Sequence, residues 1–126
     1  MSTHQQVVER YWRAAADGDF DAVGELFTDD VVVEWPQSGE RVRGKEACLN
    51  IFRSYPGGSP RFHELRRTMS GDELFIAEAT VDYPDGKSYV QVGVFEFQGD
   101  KIAHEIDYFA EMIPAPEWRR QWVEVA

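Results

Sequence analysis

A chain of 126 residues with 43% hydrophobic content is expected to form one domain, large enough to bury a core without disulfides or metals. Its formal charge of −10, with no basic stripe, argues against nucleic acid or an anionic membrane as partner. The single Cys48 cannot form an internal bridge, no apolar run approaches the ~18 residues of a membrane span, and residues 1–6 show no secretory pattern, so the expected compartment is cytoplasmic.

In chain order, Val7, Val8, Tyr11, Trp12 and Ala15 recur at helical spacing, and Gly18 stands where a C-terminal cap would. Asp19 can cap a second short helix carrying Phe20, Val23, Leu26 and Phe27. Asp29 and Asp30 break that pattern, Val31 to Trp35 reads as a strand, and Pro36 stops it. A turn leads to a short 41–43 segment. A third helix is predicted from Gly44 to Tyr55, with Ala47, Cys48, Ile51, Phe52 and Tyr55 on its apolar face. The breaker-rich 56–60 segment is a loop.

The remainder reads as antiparallel sheet: strands over 61–69, 73–83, 87–97 and 101–110, joined by Gly- and Asp-bearing turns. In the second strand Phe75, Ala77, Ala79 and Val81 share one face, with Glu78, Thr80 and Asp82 on the other. In the last strand Ile102, His104, Ile106 and Tyr108 alternate with Ala103, Glu105, Asp107 and Phe109. Trp118 and Trp122, four residues apart, suggest a final helical turn that docks its indoles. Helices first and strands after give the α+β class, with helices packed into one side of a bent sheet.

Residues two apart on a strand point the same way about 6.6 Å apart, which makes Glu105 and Asp107 near neighbours. Two carboxyls that close and partly desolvated push one pKa up and leave the other ionised, which suits acid–base work at neutral pH. The alternative is that both are hydrated at a strand end. Asp82 either joins them in a shared cavity or caps the hairpin turn that follows it. His63 reads as a hydrogen-bonded structural residue or as a base, and His104 lies on the face opposite Asp107. Neither His has a partner at metal-ligand spacing, so no metal is expected, and no phosphate loop or serine-hydrolase elbow is present, so no cofactor is expected either.

The stretches RYWRAAADGDFDAVGELFTDDVVVEWP (10–36) and GVFEFQGDKIAHEIDYFAE (93–111) resemble the nuclear transport factor 2-like superfamily, closest to its SnoaL-like branch. The likeness runs over nearly the whole chain and implies a cone-shaped curved sheet closed by helices over a mostly apolar pocket, usually in a homodimer. It also implies a small hydrophobic ligand, with Tyr11, Trp35, Phe52, Tyr89 and Phe109 as candidate lining residues. Three chemistries of the superfamily bear on the residues present. Steroid isomerases would place acids where this chain has Trp35 and, roughly, Gly93, so both acids are missing, although Tyr11 matches. Limonene-type epoxide hydrolases would use Asp82 and Asp107 with an Arg where Thr80 stands. SnoaL-type cyclases need little beyond one well-placed acid, which Asp107 can supply. Asp107 is therefore the first candidate for catalysis, with Asp82, Glu105 and His63 as its partners. The alternative is a non-catalytic ligand binder or dimeric scaffold of the same fold.

Overall fold

The computed structural model describes residues 3–125, apart from the side chains at 63 and 64. Helix α1 (His4–Asp17) begins at a capping box: the Gln6 amide N–H donates to Thr3 Oγ1, and the Thr3 N–H donates to Gln6 Oε1. It ends at Gly18, whose φ of 75° is the left-handed conformation that stops a helix cheaply in glycine. Asp19 then caps α2 (Phe20–Glu25) by accepting from the Ala22 N–H. The Gly18 stop and the Asp19 cap were legible in the sequence; the capping box at Thr3 was not read there. Val7, Val8, Tyr11, Trp12 and Ala15 form the buried face of α1, as their spacing predicts.

Strand β1 (Phe27–Trp35) begins earlier than predicted, because Asp29 and Asp30 sit as exposed residues within it rather than ahead of it. Its pairing shifts between Phe27 and Val32, which absorbs the two acids. After β2 (Glu40–Arg43) comes α3 (Lys45–Arg53), capped by Gly44. The predicted apolar face of α3 is rotated. Cys48 and Leu49 are its buried residues and Ala47 is exposed. The cause is α2, where Gly24 leaves room for Leu49: a Cβ there would stand 3.3 Å from Leu49 Cδ1. Ile51 and Phe52 are half-buried and face the pocket described below.

Strands β3 (Arg61–Ser70), β4 (Leu74–Asp82), β5 (Ser88–Gln98) and β6 (Lys101–Glu111) complete one six-stranded sheet in the order β2-β1-β6-β5-β4-β3. All neighbours are antiparallel except β1 and β6, which run parallel and bring the first strand beside the last. The sheet is curved and unclosed, and the helices cover its inner face. That face is built of Phe75, Ala77 and Ala79 on β4, Phe95 and Phe97 on β5, and Phe27, Val31 and Val33 on β1, all buried in one core with the inner faces of the helices.

One irregularity decides what β6 presents inward. Glu96 pairs with His104 but Phe97 pairs with Ile102, so Ala103 is an extra residue. A bulge of this kind shifts the alternation by one. Ile102 is fully buried at one end, and beyond the bulge Glu105 and Asp107 point inward instead. The predicted grouping of Ala103 with the two acids is thus corrected: the core partner on their side is Ile102.

The C-terminal turn is a 3-10 helix, Glu117–Trp122. With three residues per turn, positions four apart do not share a face. Trp118 and Trp122 are accordingly 75% and 72% exposed rather than docked, contrary to expectation, and Trp118 meets the guanidinium of its neighbour Arg119, 5.7 Å from the ring centroid. Among the described residues no helix is long and apolar enough to cross a membrane.

Candidate functional site

Between α1, α3 and the inner sheet face lies a pocket with about 500 Å³ of empty space, counted out to its open mouth. Tyr11, Trp35, Phe52 and Phe109 line it as predicted, joined by Tyr55, Tyr83, Phe62 and Cys48. At its floor stand Glu105 and Asp107, 2% and 3% exposed, with Gln91 beside them at 2%.

Each floor residue is held by a different element. The Trp35 indole Nε1–H, at the end of β1, donates to Asp107 Oδ2 at 3.1 Å. The Gln91 side-chain amide on β5 donates to Asp107 Oδ1 at 2.8 Å. The Tyr11 hydroxyl on α1 donates to Glu105 Oε2 at 3.3 Å. Gly93 pairs directly with Asp107 across β5 and β6. A Cβ at Gly93 would fall 2.7 Å from the Phe95 ring and 3.4 Å from Asp107 Oδ1, so glycine lets the ring and the carboxylate lie side by side.

Burial raises the pKa of both acids, since it disfavours the charged form. Glu105 is pushed well above the ordinary carboxylate range, first by desolvation and then by the neighbouring Asp107 charge. Asp107 is also raised by desolvation, but hydrogen bonds from Glu105, Trp35 and Gln91 oppose the shift. One proton shared between them therefore resides on Glu105, and Asp107 keeps the charge. Desolvation and the Glu105 charge lift the Cys48 thiol to about 12, so it is no thiolate nucleophile at neutral pH.

A carboxyl whose pKa is higher folded than unfolded binds more protons in the folded state between those two values. Its contribution to stability is complete below the unfolded value, about 4.3 for Glu, and is lost as pH rises through the folded one. Glu105→Gln keeps a hydrogen-bond donor toward Asp107 and an acceptor for Tyr11, but carries no titrating proton. Urea unfolding at a series of pH values is expected to show the wild-type protein losing up to about 1.4 kcal/mol per pH unit in that window relative to the variant. Parallel stability curves for the two proteins would count against a raised Glu105.

The other predicted residues lie elsewhere. Asp82 is not in the pocket: it sits exposed on the outer face of β4, where Ser88 Oγ donates to its Oδ1 at 2.5 Å across the hairpin. Its alternation with the inward Val81 explains the correction to a shared cavity. Tyr89 stands behind Tyr83, with ring centroids 5.1 Å apart, and is not part of the lining. His63 lies on β3, and its side chain falls outside the described residues. His104 is on the opposite face of β6 from Asp107, as expected, with Glu34 Oε2 2.6 Å from its Nε2 and Glu96 at its Nδ1. Among the described residues no group of His, Cys, Asp and Glu is arranged to hold a metal.

Gln91 was missed. Its signal was available, because it shares inward parity with Gly93, Phe95 and Phe97, and a polar residue on an otherwise buried face asks for a partner. The hydrogen-bonded pair of Tyr55 and Tyr83 on the pocket wall left no comparable trace, since the two residues lie in separate loops.

Residues 8–105 match the SnoaL-like domain. No curated protein matches the chain. Among solved structures, an NTF-2 like protein of unknown function from Burkholderia xenovorans LB400 is 36% identical with a TM-score of 0.81, the match covering 98% of this chain and 94% of that one. A LEH-like epoxide hydrolase from M. tuberculosis is 26% identical with a TM-score of 0.71, over 83% of this chain and 80% of that one. A candidate ketosteroid isomerase from Kribbella flavida DSM 17836 shares the fold at 20% identity and a TM-score of 0.82, over 98% and 89%.

Proposed function

This chain belongs to the SnoaL-like domain family, and from that premise we propose that its pocket moves a proton on a small, largely apolar molecule. Asp107 accepts the proton and Glu105 holds a second one in reserve. The observation that carries this reading is the buried Glu105–Asp107 pair at the floor of an aromatic pocket. Removing two carboxyls from water costs several kcal/mol per ionised group unless charge is shared and hydrogen bonds are supplied. Here three donors and one shared proton do so. An arrangement that sets the two pKa values apart gives one base and one acid near neutral pH.

The lining also narrows the reaction. No Lys or Arg stands among the described lining residues, so a guanidinium-assisted opening of an epoxide has no cation to work with. Proton abstraction and return, as in isomerisation or ring closure, needs only the pair itself. Nor does the wall supply a competing nucleophile, given the protonated Cys48.

NMR titration of the side-chain carboxyl carbons tests the reading without a known substrate. Glu105 is expected to release its proton well above the ordinary value of about 4.3, in a curve coupled to that of Asp107. Two independent titrations near the ordinary carboxyl values would remove the base–acid pair and leave a ligand binder or scaffold.

A further inference from the structure

The polar groups of the pocket are unevenly satisfied, and the imbalance indicates what fits there. Three of its donors are used: Trp35 Nε1–H and the Gln91 amide on Asp107, and the Tyr11 hydroxyl on Glu105. The acceptor Gln91 Oε1 is buried with no hydrogen-bond partner, as is Glu105 Oε1. The Gln91 orientation is fixed, because a carboxylate accepts only from the nitrogen end of the amide. An unsatisfied buried acceptor carries a standing cost, so a ligand bringing donors relieves it, while one bringing only acceptors adds to it.

Charge and wall chemistry act in the same direction. The floor pair carries one negative charge, and no Lys, Arg or His stands among the described lining residues to neutralise it. Around it are the rings of Tyr11, Trp35, Phe52, Tyr55, Tyr83 and Phe109. Aromatic faces attract organic cations through their quadrupoles, the more so when water is excluded. A carboxylate or phosphate ligand would meet like charge.

We propose that the pocket takes a small organic ammonium ion, a protonated primary amine on a short apolar body. The N–H groups of the head suit Asp107 and the unpartnered Gln91 oxygen, and the apolar body lies between the rings. The inference rests on the proposed function in one respect: it takes the Glu105–Asp107 pair to hold a single charge near neutral pH.

Isobutylammonium, isobutanol and isobutyrate have similar shapes and differ in charge and donors. Each is titrated into the protein near neutral pH, to about 50 mM, while the Trp35 indole and Gln91 side-chain N–H resonances are followed. Isobutylammonium is expected to bind at least about tenfold more tightly than isobutanol, and isobutyrate not at all. Asp107→Asn is expected to bring the amine down to the level of the alcohol. The proposal is overturned if the alcohol equals the amine, if isobutyrate binds, if none of the three shifts these resonances, or if the variant keeps the preference for the amine. Failure here alongside a coupled, raised Glu105 titration leaves the acid–base reading standing. Preference for the amine with ordinary carboxyl titrations leaves the ligand class standing and removes the acid–base reading.

Discussion

Asp107→Asn is expected to lower turnover of a substrate by about 10²–10⁴-fold, the usual contribution of a positioned base. At 1.36 kcal/mol per tenfold, that is about 3–5 kcal/mol on the barrier. The fold should survive. The new amide has the shape of the carboxylate, its oxygen can accept from the Trp35 indole, and rotation of the Gln91 amide can offer Oε1 to its NH₂. Substrate affinity should change less than turnover for a neutral substrate, since an uncharged ligand forfeits at most one hydrogen bond. Glu105 should also release its proton at lower pH than in the wild-type protein, because the Asp107 charge that helps hold it is gone. Burial remains as the larger cause, so the pKa should stay above the ordinary value. Steady-state kinetics on the first substrate found by screening decide the matter. A loss below about tenfold would move the base elsewhere or show that the pocket only binds.

Phe95→Ala is expected to cost about 3–5 kcal/mol of stability, the range for deleting a fully buried aromatic ring. Phe95 has no exposure to solvent, and its ring centre lies 6.4 Å from that of Tyr11, 6.3 Å from Trp12 and 6.4 Å from Phe75. The glycine at position 93 makes the void hard to fill, because it contributes no side chain to close over the gap. The urea midpoint should fall by roughly 1–5 M. The same ring backs the helix that presents the Tyr11 hydroxyl, so the 3.3 Å bond to Glu105 should loosen in the surviving folded fraction. A loss under 1 kcal/mol would mean that α1 collapses onto the sheet without the ring, and that the floor of the pocket is less fixed than its geometry implies.

The position of the pocket follows from a parallel contact between the first strand and the last. Trp35 ends β1, Asp107 lies on β6 and Gln91 on β5, so their hydrogen bonds tie three neighbouring strands at one point. Tyr11 reaches the same point from the helical layer. Four segments spread over 97 positions, from Tyr11 to Asp107, therefore converge on two carboxyl groups. Such convergence keeps buried acids tolerable, because each donor is supplied by an element held in place for other reasons.

Helices, turns and strand faces could be read from residue order because each rests on interactions over a few positions. Gly18 and Asp19 are caps acting within four residues. The period-two alternation of β4 separated its two faces, and the spacing of Glu105 and Asp107 fixed that they share one. Local pattern reached its limit where an element answers to a distant neighbour. Leu49 faces inward because Gly24 leaves space for it, and Asp29 and Asp30 fit inside β1 because its pairing with β6 slips. The extra residue at Ala103 became visible only in the register of two strands.

The same division holds for the candidate site. That two carboxyls would be neighbours was a local fact, legible from Glu105 and Asp107 alone. Which one keeps the proton was not, since it depends on an indole 72 positions away from Asp107, an amide 16 away and a phenol 94 away from Glu105. Asp82 shows the reverse: its sequence neighbourhood allowed either a cavity or a hairpin, and strand alternation placed it outside. Sequence order sets which side chains can face together. Burial and donors, which set their charge, come from segments that meet only when the sheet curves under the helices.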